Sequence, residues 1–162
     1  MENNMFDWIK LLWQTESKNA DAKQIAKHLS KVLLFELSEI ESVYPDVKDK
    51  AERLIAKMAE IKMPIKITET FRSAKKQNEL SNSVTKAKGL QSYHQYGLAF
   101  DIKFITWGYN PPSTWWEILG KEGEKLGLEW GGRWTSFPDK CHFQWTSYGK
   151  LKWQDLEPYF KK

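Results

Sequence analysis

Apolar positions along this chain switch from helical to strand spacing and back, and the switching lays out the elements. Between Asn4 and about Thr15, Phe6, Ile9, Leu12 and Trp13 fall on one helical face, with Asn4 placed to cap. From about Asp21 to Ile40 a second stripe runs through Ile25, Leu29, Val32, Leu33, Leu37 and Ile40. His28 lies beside that stripe without a partner motif and reads as a surface or boundary residue. Tyr44-Pro45-Asp46 breaks the run and starts a third helix, with Asp46 as cap, Val47, Ala51, Leu54, Ile55 and Met58 as apolar face, and Pro64 as its end. Ile65 and Ile67 then alternate with Lys66 and Thr68, which predicts a strand.

The segment Asn82–Gln91 is polar, carries Gly89 and several lysines, and reads as a loop. Gly97–Ile105 alternates cleanly: Leu98, Phe100, Ile102 and Phe104 point one way, Ala99, Asp101 and Lys103 the other. That is a strand with one face in a core. Trp107–Pro112 is a turn. A helix is expected from Thr114, with Glu117 completing a capping box, Trp115, Ile118, Leu119 and Leu126 supplying apolar surface, and Gly127 as the stop. Leu128–Gly132 reads as a short strand and turn, His142–Trp145 as another strand, and Trp153–Phe160 as a short final helix.

Composition narrows the possibilities. A chain of 162 residues suits one domain, or one domain with a small appendage, and 41% hydrophobic with 14% aromatic residues can build a core. The single cysteine, Cys141, excludes an internal disulfide. No run is long and apolar enough to span a membrane. Met1-Glu2-Asn3-Asn4 lacks the basic start and apolar stretch of a signal peptide, so synthesis in the cytoplasm is expected. A net charge of +4 attracts anionic partners weakly, but the basic residues are dispersed, with no arginine-rich tract or zinc-finger spacing, which argues against nucleic-acid binding. Trp8 and Trp13 give the first helix an amphipathic face that membrane or a partner could meet; core packing is the commoner use of such a stripe.

The chemistry gathers at two places. His94 lies just before the central strand, Gly97 lets the chain turn into it, and Asp101 is presented on its non-core face. Far downstream, His142 and Gln144 share a face of the second strand, with Phe143 and Trp145 behind them. Singly, each histidine is an ordinary polar or buried residue and Asp101 a strand-edge charge. Jointly, two imidazoles and a carboxylate give three metal ligands and leave a position for water, the arrangement of a catalytic zinc. Asp139, three residues before His142, is close enough to act on that water without being a ligand. Cys141 is expected to point away from His142 and to be a small packed residue, not a ligand.

Ser92-x-His94-x-x-Gly97-x-Ala99-x-Asp101 followed by Asp139-x-x-His142-Phe143-Gln144 resembles the zinc peptidases of bacterial cell walls. These include the D-alanyl-D-alanine carboxypeptidases and the L-alanyl-D-glutamate endopeptidases of phage endolysins, whose fold also resembles the hedgehog signalling domain. The resemblance runs from about Tyr44 to the C-terminus. It implies an α+β fold, a small antiparallel sheet carrying a zinc site and packed with helices, with residues 44–162 as catalytic domain and 1–43 as an N-terminal helical extension that packs on it or stands apart. It implies Zn2+ on His94, Asp101 and His142, with Asp139 as general base. It further implies that Arg72, in Phe71-Arg72-Ser73, faces substrate and holds a peptide carbonyl or carboxylate, with a surface ion pair to Glu69 as the alternative, and that Gln77 lines or supports the site. Ser92 is a candidate to bond substrate or orient the metal loop, with loop capping as the alternative.

Asp-x-x-His leans to the endopeptidase branch, against the Glu-x-x-His of the dipeptidase branch. The substrate implied is the peptidoglycan stem peptide, cut between L-alanine and D-glutamate, by a monomer acting on the wall after holin-type release or another export route. A D-alanyl-D-alanine carboxypeptidase and a non-catalytic, zinc-stabilised hedgehog-like binding domain are the alternatives. The chain departs from the family in a shortened loop before Ser92, in Arg133 after the glycine pair, and in Cys141 where proline is common.

Overall fold

The computed structural model describes residues 25, 27, 43–147 and 151–160. The helices expected over Asn4–Thr15 and Asp21–Ile40, with Trp8, Trp13 and His28, lie outside these residues except at Ile25 and Lys27. Ile25 is helical and fully buried, and it joins the same hydrophobic cluster as the sheet.

Helix α1 spans Pro45–Glu60 and buries Val47, Ala51, Leu54 and Met58. Asp46 is not its cap. Pro45 sits in the first turn, where its fixed φ suits the helix and its missing N–H costs nothing, and Tyr44 takes the N-cap position. Asp46 therefore falls inside the first turn, against the positive end of the helix dipole. The helix ends ahead of Pro64, through a turn in which Lys62 adopts φ 62°.

Four strands follow: β1 Ile65–Glu69, β2 Ala99–Phe104, β3 Glu129–Trp130 and β4 His142–Gln144. They form one antiparallel sheet in the order β1-β2-β4-β3. Pairing Ile65 with Phe104, Ile67 with Ile102 and Phe143 with both Phe100 and Trp130 gathers the apolar side chains on one face. The opposite face carries the rows Lys66–Lys103 and Asp101–His142. A register shift between Ile67 and Glu69 sets Glu69 opposite Asp101. The α+β architecture expected from the sequence is the one observed.

A short helix that the periodicity did not predict, α2 (Ala74–Glu79), follows β1, with the Ser73 hydroxyl accepting from the Lys76 N–H. Helix α3 spans Ser113–Lys125 and packs on α1 and on β3. The capping box expected at Thr114 and Glu117 does not form; Pro112 is the N-cap, and Glu117 reaches Arg133 instead. Gly127, at φ 78°, ends the helix as expected. Two glycines inside α3 let it lie close to the sheet. A Cβ on Gly120 would stand 2.1 Å from the Trp130 ring, and one on Gly123 2.3 Å from the Phe143 ring. Helix α4 (Trp153–Leu156) continues into a 3-10 turn, Glu157–Tyr159, and buries Leu156.

Candidate metal centre

His94 is carried on a 3-10 turn, Tyr93–Tyr96, built by reciprocal capping. The Ser92 hydroxyl accepts from the His94 N–H, and Gln95 Oε1 accepts from the Ser92 N–H at 3.0 Å. Gly97 closes the turn in the left-handed region, at φ 65°, and feeds the chain into β2. Pairing of β2 with β4 sets Asp101 directly opposite His142. His94 Nε2 and His142 Nδ1 lie 3.2 Å apart, and Asp101 Oδ1 stands 3.3 Å from the first and 3.1 Å from the second. Three side chains named from the sequence thus converge on one point.

The outward nitrogens of the two rings decide what that point can hold. His94 Nδ1 faces the Thr70 carbonyl oxygen at 2.5 Å, and His142 Nε2 faces Gln144 Oε1 at 3.0 Å. Carbonyl oxygens only accept, so these nitrogens carry the protons. His94 Nε2 and His142 Nδ1 of the neutral rings then present bare lone pairs to each other and to a carboxylate oxygen. Three acceptors without a donor, buried in the sheet face, fit a divalent cation held by two imidazoles and one carboxylate. Until an ion takes that place, a proton on His142 relieves the same crowding. Burial opposes ionisation of Asp101, but His94 and His142 outweigh it and hold the carboxyl far below its usual range. Burial likewise opposes a charge on His142, yet Asp101 and Gln144 push its pKa above the usual imidazole value.

Arg72 is buried at the edge of this centre, its side chain 8% exposed. Its Nε and Nη2 donate to the two Glu69 carboxylate oxygens, Nη1 donates to Gln77 Oε1, and Nη2 lies 3.6 Å from Asp101 Oδ2. Glu69 is held below the ordinary carboxylate range by the bond from Arg72, against its own burial. Gln77 is a brace: beyond receiving Arg72, its amide donates to the Ala87 carbonyl oxygen at 2.9 Å and to Thr85 Oγ1. It fixes the arginine and the 80–91 loop together.

A cleft of about 670 Å3 opens over the centre, with Arg72, Ser92, Asp101, Asp139 and His142 in its wall. The 80–91 loop forms one side and Trp134 to Asp139 the other; Lys86 lies over the Phe137 ring. Asp139 is set by a glycine. Its N–H donates to the Gly131 carbonyl oxygen at 3.0 Å, and a Cβ on Gly131 would stand 2.5 Å from the Asp139 carbonyl oxygen. Cys141 is half-buried against the core cluster, as expected, but it does not sit in the strand. It precedes β4, so strand alternation does not govern it; its thiol lines the cleft and donates to Asp139 Oδ1 at 3.0 Å. Burial pushes that thiol well above its usual pKa.

Arg133 is tied to Glu117 and Glu124 and stacks on Trp130, 4.8 Å from the ring, outside the cleft wall. Trp130 and Trp145 are core, while Trp134 lies in the cleft against His142 with its ring nitrogen on Glu129. Sequence reasoning missed Gln144 and Thr70 as partners of the ligand rings. Gln144 had a signal, since alternation put it on the face of His142. The Thr70 contribution is a backbone carbonyl, which no side-chain pattern reports.

Residues 85–145 match a peptidase family, M15, described as D-alanyl-D-alanine carboxypeptidase. The chain is 38% identical over 122 residues to the peptidoglycan L-alanyl-D-glutamate endopeptidase CwlK of Bacillus subtilis, matching 63% of this chain and 72% of that one. The chain belongs to this family of peptidases. Both motifs of the metal centre fall inside the matched segment. Solved M15-type structures share the fold. The Serratia marcescens L-Ala D-Glu endopeptidase ChiX superimposes with a TM-score of 0.56 at 23% identity, over 70% of this chain and 87% of that one. A vancomycin-resistance D,D-pentapeptidase, VanY, solved with Zn(II), gives 0.53 at 14% identity, over 74% and 84%.

Proposed function

We propose that this peptidase is zinc-dependent and hydrolyses the L-alanyl-D-glutamate bond of peptidoglycan stem peptides. One observation carries the metal reading: three lone-pair donors of His94, Asp101 and His142 converge, with both ring tautomers set from behind. The bond specificity is supported by the relation to CwlK. His94 Nε2, Asp101 Oδ1 and His142 Nδ1 would hold the ion. When bound, zinc supplies Lewis acidity and lowers the pKa of a water to about 7.

The chain's own residues do the rest. Asp139 accepts the proton of the attacking water and returns it to the leaving amine. Arg72 has five N–H donors; Glu69 and Gln77 take three and one turns toward Asp101, which leaves one Nη1 N–H for the scissile carbonyl oxygen as charge develops on it. Gln77 holds that guanidinium in place. Ser92 orients His94 by capping its turn, and its position in the cleft wall supports a contact with substrate.

The test is mass spectrometry of peptides released from purified peptidoglycan by the zinc-loaded protein, with a chelated control. Chelator-sensitive products beginning with D-glutamate are expected. Loss of terminal D-alanine alone would assign the carboxypeptidase reaction, and no cleavage with zinc bound would favour a binding domain. Asp139→Asn should keep zinc and lose nearly all hydrolysis; normal turnover in that variant removes Asp139 from the mechanism.

A further inference from the structure

The row beside the metal centre on the same face of the sheet is basic. β2 alternates, so Lys103 shares the face of Asp101, roughly 7 Å further along the strand. Lys66 lies directly opposite it on β1. Like charges directly opposed across a sheet are destabilising, and nothing in the adjacent row offsets them. Glu69 is committed to Arg72 and Lys76, and Asp101 to Arg72 and the two histidines.

Lys103 is also walled. Phe104 and Gly108 exchange backbone hydrogen bonds of 3.0 and 2.9 Å, with Gly108 at φ 60°, and this tight turn folds Tyr109 back over the sheet. The Lys103 ammonium lies 5.8 Å from the Tyr109 ring centre, and the Tyr109 hydroxyl donates to Thr68 Oγ1 at 3.2 Å. Tyr109 remains 51% exposed, so a ligand can reach the group it encloses. Arg72 cannot take a carboxylate in the same manner, because its fork is already filled by Glu69.

We propose that Lys103, walled by Tyr109, and Lys66 opposite it form a subsite for a free carboxylate of the substrate peptide beside the scissile bond. The proposal rests on the endopeptidase reading above, in which the residue after that bond is glutamate. One glutamate carboxyl continues the chain, and the other is an anion that two ammonium groups one row from the metal centre would hold. The subsite reads charge, so it separates a free acid from its carboxamide.

The experiment uses the zinc-loaded protein and two synthetic stem peptides, identical except that the free glutamate carboxyl is an acid in one and a carboxamide in the other. Binding is read by calorimetry and cleavage by chromatography, for wild type, Lys66→Gln, Lys103→Gln, the double variant, and Lys121→Gln on α3 as a remote control. Wild type should prefer the acid by about five- to tenfold, through KM with kcat unchanged, and high salt should erode the preference. The double variant should bind both peptides as wild type binds the amide; Lys121→Gln should match wild type. Equal binding of the two peptides by wild type, or equal losses for both in the double variant, overturns the subsite. Preferential binding of the acid without cleavage keeps the subsite and overturns the endopeptidase reading. Cleavage of both peptides without preference does the reverse.

Discussion

Replacing Gln144 by leucine tests the metal centre from behind. Gln144 Oε1 receives the His142 Nε2 proton at 3.0 Å, and both residues are buried. Leucine removes the acceptor and leaves that N–H unsatisfied, at a cost of about 1–3 kcal/mol if the ring keeps its tautomer. The ring has a way out. Its proton can move to Nδ1, where Asp101 Oδ1 waits at 3.1 Å. The fold then survives, but metal binding must first expel that proton, so the penalty transfers to affinity. A loss of about 10- to 100-fold follows, equivalent to roughly 1.4–2.8 kcal/mol, which agrees with the cost of the missing acceptor. Competition against a chromophoric zinc chelator at neutral pH measures it, with a thermal melt of the metal-free protein to confirm folding. Gln144→Glu keeps an acceptor in place and should bind zinc at least as well as wild type. A Gln144→Leu protein that folds and binds zinc as tightly as wild type would refute the tautomer argument.

Three further outcomes are expected. His142→Ala removes one of three donors and should lose stoichiometric zinc by elemental analysis; full occupancy would remove His142 as a ligand. Gly120→Ala should lower the melting temperature although alanine favours a helix by about 1 kcal/mol. Its Cβ would meet a Trp130 ring that is also flanked by Gly132 and bonded through its nitrogen to the Lys140 carbonyl oxygen, and overpacking of that kind costs about 1–3 kcal/mol or more. An unchanged or higher melting temperature would mean the ring yields freely. Glu69 has a depressed pKa, so its contribution is fully present above the ordinary glutamate value of 4.5 and is lost as pH falls through the folded value. The stability difference between wild type and Glu69→Gln, from urea unfolding, should be full at neutral pH and shrink under acid conditions; a difference that does not vary with pH would dissociate Glu69 from Arg72.

The sequence by itself determined the central strand and named the trio of candidate ligands, His94, Asp101 and His142. Strict alternation from Leu98 to Phe104 can only be satisfied by a strand with one buried face, and that fixes Asp101 on the other. Gly97 and Gly127 marked turns because each needs positive φ. Where local rules offered several partners, they went astray. Asp46 and Glu117 have the chemistry of caps, but Pro45 filled the first turn of one helix and Arg133 captured Glu117 from another. Cys141 packs against the core as expected, but its thiol also lines the cleft and meets Asp139, because strand alternation does not extend to the residue before β4.

Only the tertiary structure decided what surrounds the three ligands. The registers of β4 against β2 and against β3, which no local signal encodes, bring His142 opposite Asp101 and Glu129 opposite Gln144. The Thr70 carbonyl behind His94 and the Lys66–Lys103 row likewise come from contacts between segments far apart in the chain, while a register shift within β1 sets Glu69, the partner of Arg72, opposite Asp101. Side-chain periodicity reports which face a residue takes within its own element. Which residues of other elements meet that face is set by packing and pairing, and there the centre acquires its tautomers, its oriented arginine and its charge.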